Sequence, residues 1–100
     1  MDPLKQTGLD TLMSLSTGHP KITLGLIDGP VDFSHPALQG SKIRTIKKWQ
    51  LAACKDASNI ACSHGTFIAG ILSSKRGLAA PGICPDCEII LNPNFQQGRE

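Results

Sequence analysis

Residues 21–28, KITLGLID, limit the fold more than any other stretch of this chain. Ile22, Leu24, Leu26 and Ile27 make the segment nearly continuously apolar, not alternating. A strand with one wet face alternates; a strand covered on both faces, as in a parallel sheet, has no need to. A second apolar run, at residues 88–92, reads as another strand. Between them lies ACSHGTFIAGILSSK, residues 61–75. Ile68, Ile71 and Leu72 fall at i+4, i+7 and i+8 from His64, the spacing of one helical face. A helix is therefore expected over about 64–75, with His64 in its first turn on the apolar stripe. Strand, loop, helix, loop and strand in this order is the pattern of a right-handed βαβ crossover, so the class is α/β with a parallel sheet.

The rest of the chain fits around that unit. Residues 9, 12, 13 and 15 are apolar at helical spacing and are followed by Gly18 and Pro20, so 1–20 reads as an N-terminal helical extension. GPVDFSHPALQG, residues 29–40, is rich in turn formers. SKIRTIKKW, residues 41–49, reads as a short strand, and 50–62 as an irregular surface loop. A sheet of two or three parallel strands cannot bury both faces. Residues 21–100 are thus expected to be the N-terminal part of a larger domain.

Composition excludes several functions. Aromatic residues make up 4% of the chain and tyrosine is absent, which removes a stacking platform for single-stranded nucleic acid. A net charge of +2 does not call for a nucleic-acid partner. Lys42, Arg44, Lys47 and Lys48 read as a solvated loop or edge strand. No apolar run reaches the ~18 residues of a membrane span, and the first residues lack the pattern of a secretory signal, which favours the cytoplasm. Cys54 and Cys62 lie eight apart, and Cys84-Pro85-Asp86-Cys87 is a C-x-x-C. Only one of these pairs has zinc-knuckle spacing, and the C-x-x-C precedes a strand where a redox motif opens a helix. Two local disulfides, 54–62 and 84–87, or free thiols remain the alternatives, with no metal or cofactor expected.

Two side chains are placed for chemistry. Asp28 closes the first strand, and in open α/β sheets sites collect at the carboxyl ends of strands. A carboxylate there needs a donor close by, since burying it alone is costly; capping a turn is its bland role. His64 is either a packed core histidine or a base. Gly65 keeps bulk away from one of its flanks, and Thr66, Ala69, Gly70 and Ser73 give the helix a small-residue side. Gly70 in mid-helix costs about 1 kcal/mol against alanine, so a packing partner, such as a second helix, is expected there. Asp32 reads as a turn acceptor, His35 as structural because it precedes a proline, and His19 as an exposed loop residue.

Taken together, LGLIDGPVDFSHPAL (24–38), HGTFIAGIL (64–72) and GLAAPGICPDCEIILNPNF (77–95) resemble the subtilisin-like serine proteases. The first is similar to their aspartate motif, the second to their histidine motif, and the third to the segment that follows. Asp28-Gly29-Pro30 departs from the usual Asp-Thr-Gly or Asp-Ser-Gly. It is similar to the proteases that cut precursor peptides in cyanobactin maturation, which are also rich in cysteine. The resemblance implies a three-layer subtilisin-like parallel sheet and a serine endopeptidase with Asp28 and His64 in an Asp-His-Ser triad. It implies a peptide or precursor-peptide substrate. The nucleophile motif Gly-Thr-Ser is absent, and the family places it roughly 150 residues past the histidine. Ser73 and Ser74 sit at the far end of the helix and cannot reach His64, and Asn92 and Asn94 inherit no role. The serine is thus expected from the remainder of the domain or from a second chain. The alternative is a pseudoprotease or split fragment that binds a peptide without cutting it.

Overall fold

A computed structural model describes residues 2–46, 54 and 59–93. Two short helices, α1 (Pro3–Thr7) and α2 (Leu9–Leu15), precede strand β1 (Thr23–Asp28). A 3-10 turn at Pro36–Leu38, strand β2 (Ile43–Thr45), helix α3 (Ile60–Ser73) and strand β3 (Glu88–Pro93) follow. The three strands form one parallel sheet in the order β1-β3-β2. The α/β class expected from the sequence is the one observed, with α3 as the crossover between β2 and β3.

Local chemistry sets the helix ends. Asp2 accepts from the Leu4 N–H and Pro3 opens α1, while Gly8 takes a left-handed φ of 78° between α1 and α2. The sequence pattern showed α2 but not α1, whose five residues are too few to display a period. Helix α3 begins four residues earlier than expected, because the Asn59 side chain caps the N–H groups of Ala61 and Cys62. Residues 60–62 are therefore helical, and His64 lies past the first turn. The rest of the expected 50–62 loop, apart from Cys54 and Asn59, falls outside the described residues, as do Lys47 and Lys48.

The core lies between α3 and one face of the sheet. Val31, Leu38, Ala69 and Leu91 are buried together, with Leu26, Phe33 and Ile43 packed against them. In β3, Leu91 belongs to this core and buried Ile89 lies on the same strand face, which their β1 partners Leu26 and Leu24 share. Among the described residues only one face of β1 is covered, as expected of so few strands. Its other side carries Thr23, Gly25 and Ile27, all exposed, and Ile27 keeps 67% of its surface in solvent. Near-continuous hydrophobicity here records an apolar surface that no described residue covers.

A correction concerns α3. Its buried residues are Ala61, Cys62, Gly65, Ala69 and Ser73, a stripe of small side chains, while Phe67 and Ile71 remain exposed. The small side of the helix faces inward because it must approach backbone, and the Ile68/Ile71/Leu72 side is less covered. At the start of the chain, Arg76 holds the extension against the rest. Its guanidinium donates to the carbonyls of Met13 (2.7 Å), Ser16 (2.9 Å), Gly82 (2.8 Å) and Ile83 (3.0 Å). Such a planar fork of five donors suits several carbonyls at once.

Candidate active site

The end of β1 and the start of α3 meet through two glycines. A Cβ on Gly29 would strike the Ala61 carbonyl, and a Cβ on Gly65 would strike the carbonyls of Gly29 and Pro30. The turn after Asp28 therefore presses directly on the helix that carries His64. Asn59 holds that helix's first turn, and Thr66 Oγ accepts from the Asp32 N–H at 2.8 Å. The backbones on either side are thereby fixed.

Within this frame the carboxylate of Asp28 and the imidazole of His64 are hydrogen-bonded. Asp28 Oδ1 lies 2.7 Å from His64 Nδ1 and also accepts from the Gly29 N–H at 2.6 Å. Asp28 is buried, with its side chain 10% exposed, whereas the His64 side chain is 61% exposed. His64 is thus no packed core histidine; its expected place on a buried stripe is corrected by its exposure. A ring N–H at Nδ1 that donates to a carboxylate leaves Nε2 with its lone pair in the neutral imidazole. That nitrogen has no hydrogen-bond partner among the described residues, and the side chain that carries it is mostly exposed.

The other polar candidates do local work. Asp32 accepts from the Ser34 N–H and hydroxyl, and those bonds, the hydroxyl first, hold its carboxyl below the usual range. His35 Nδ1 accepts from the Ala37 N–H and caps the 3-10 turn, as a structural residue does. His19 accepts from the Lys21 N–H in an exposed loop. Ser73 and Ser74 are buried, nine or more residues along α3 from His64 and so about 14 Å away along the axis. Arg44 pairs with Glu88 at 3.0 Å and Lys42 lies 4.0 Å from Asp86, both at the exposed surface.

The cysteines divide. Cys54 and Cys62 form a disulfide, with Cα atoms 5.5 Å apart, and Cys84 and Cys87 are free thiols. One pair follows each of the two alternatives that the sequence left open. Spacing alone did not separate them, but the Asn59 cap that starts the helix at 60 places Cys62 in its first turn. No group of three or more metal-ligating side chains occurs among the described residues, and no described helix is long and apolar enough to cross a membrane.

Gly70 has no second helix against it among the described residues. It lines an apolar groove of about 660 Å³ with Phe67, Ile71, Pro36, Leu78 and Pro81.

No protein-family profile matches the chain, and no curated protein does. Solved structures do. An alanine-for-serine variant of the protease domain of PatA is 30% identical with a TM-score of 0.74, over 84% of this chain and 30% of that one. Prenylagaramide maturation protease PagA is 29% identical with a TM-score of 0.69, over 90% of this chain and 29% of that one. The PatG macrocyclase in complex with peptide is 17% identical with a TM-score of 0.73, over 94% of this chain and 40% of that one, a likeness of fold. This chain spans about 30% of the length of the PatA and PagA chains it matches. In fold, and in sequence over most of its length, the chain resembles the subtilisin-like protease domains of cyanobactin maturation.

Proposed function

We propose that this chain supplies the aspartate and histidine of a serine endopeptidase that processes precursor peptides. The observation that carries this reading is the 2.7 Å contact between buried Asp28 and exposed His64, with Nε2 left open. A serine hydroxyl is a weak nucleophile until a base takes its proton. His64 Nε2 is that base during attack, and the acid that protonates the leaving amine afterwards. Asp28 holds the ring in the Nδ1–H tautomer and stabilises the imidazolium as it forms. PatA and PagA, both maturation proteases by name, support peptide hydrolysis and a precursor-peptide substrate.

The hydroxyl itself comes from the remainder of the peptidase domain or from a second chain. Two features support this: Ser73 and Ser74 are out of reach, and a groove of apolar side chains runs along α3 from Phe67 to Ile71. The test is an assay of purified 1–100 against precursor and fluorogenic peptides, alone and joined to the serine-bearing portion. The isolated chain is expected to show no turnover above background, and the completed protein to cut. Turnover by the isolated chain that disappears with His64→Ala overturns the claim that the hydroxyl comes from elsewhere. A completed protein that binds peptide without cutting establishes the binding-module reading.

A further inference from the structure

Cys62 stands two residues before His64 in α3, in the turn capped by Asn59. Its disulfide partner Cys54 does not belong to that helix. The Cys54 N–H donates to the Val31 carbonyl at 3.1 Å, three residues past Asp28, and Cys54 Sγ lies 4.0 Å from Thr66 Oγ. The disulfide therefore ties the turn that follows Asp28 to the helix turn that precedes His64. Two other links span the same junction: the Thr66–Asp32 hydrogen bond and the close contact of Gly29 and Gly65. Neither of those two engages Val31 or Cys62, the residues that Cys54 joins.

We propose that the Cys54–Cys62 disulfide is a redox switch on the Asp28–His64 pair, which is fully assembled when the bond is formed and loosened when it is reduced. The reductant is a dithiol. One thiolate attacks Cys54 Sγ, the half-buried sulfur, and expels the thiolate of Cys62, which is fully buried. The second thiol of the reductant then resolves the mixed disulfide. The reductant is oxidised by two electrons to its own disulfide, and its two protons end on Cys54 and Cys62. With Cys54 released, its N–H is no longer held at Val31, and the turn after Asp28 gains freedom relative to α3. The inference concerns the same two residues as the proposed protease, but it is read from their hydrogen bond and not from turnover, so the two readings fail separately.

The test uses purified 1–100 carrying Cys84→Ser and Cys87→Ser, so that one cysteine pair remains, with the unaltered chain in parallel. Thiol alkylation and intact mass first count the bonds. Amide exchange and the His64 ring proton resonance are then followed before dithiothreitol, after it, and after reoxidation by oxidised glutathione. On reduction, the Asp32 and Cys54 amides are expected to exchange at least about tenfold faster while Ile89 in β3 changes little. The downfield Nδ1 proton of His64 is expected to broaden or vanish and to return on reoxidation. Three results overturn the proposal. They are two free thiols at Cys54 and Cys62 in the air-oxidised protein, a His64 resonance indifferent to reduction, and loss of Ile89 protection together with Asp32, which marks a global staple.

Discussion

Gly29 and Gly65, the residues directly after Asp28 and His64, meet at a junction where a Cβ on either would run into backbone. A methyl group there has no flexible side chain to push aside. Gly65→Ala is expected to cost about 2 kcal/mol or more, the scale of overpacking in a tight site. Gly25→Ala, at an open position of β1, is the control and is expected to be neutral or slightly stabilising. Urea denaturation midpoints of the two variants decide the matter. Equal midpoints would remove the close approach as the reason for glycine at 65.

In a protein completed with its nucleophile, Asp28→Asn is expected to leave the fold intact and lower kcat by about 10⁴-fold, because an amide supports the wrong tautomer of His64. The measurement is peptide hydrolysis beside a circular dichroism spectrum. A folded variant with unchanged kcat removes Asp28 from the reaction.

Arg76 donates to four carbonyls and so ties residues 13 and 16 of the N-terminal segment to residues 82 and 83. Arg76→Ala leaves those carbonyls short of a donor and is expected to destabilise the chain by about 3 kcal/mol. Limited proteolysis gives the sharper readout: cleavage within 1–18 should precede any cut in the sheet. Arg76→Lys, a single point donor, is expected to rescue only part of the loss.

Burial, with a hydrogen bond to Cys87 next in weight, pushes the Cys84 thiol up to about 11. At neutral pH the protein therefore holds about a hundredfold less thiolate there than an ordinary exposed cysteine does. Iodoacetamide labelling of the native chain at pH 7.5 is expected to be slow at Cys84 and fast after unfolding. The stability that this raised value contributes is fully present below the unfolded thiol's ordinary value near 9. It is lost as pH rises through about 11, which pH-dependent thermal melts would register. Rapid native labelling at pH 7.5 would contradict the burial.

The sequence carried the site more fully than the packing around it. Asp28 and His64 stand in short motifs whose chemistry depends on residue type, so a strand-end carboxylate and a helical histidine were legible from the letters alone. The face of α3 was not. Periodicity weighs large apolar residues, and it pointed to Ile68, Ile71 and Leu72. The contact with the turn after β1 demanded small ones instead, at Ala61, Gly65 and Ala69. The start of α3 was hidden for a similar reason. Its signal is one capping side chain, Asn59, in a stretch without apolar rhythm. What covers the second face of β1 was not legible: at Ile27 hydrophobicity reports a need for cover that no described residue meets.

Among the described strands β1 stands at an edge of the sheet, and its own Ile27 is in solvent. Open ladder groups next to an apolar side chain invite pairing with any other extended segment. Expressed by itself at high concentration, the chain is therefore expected to clump through this rim.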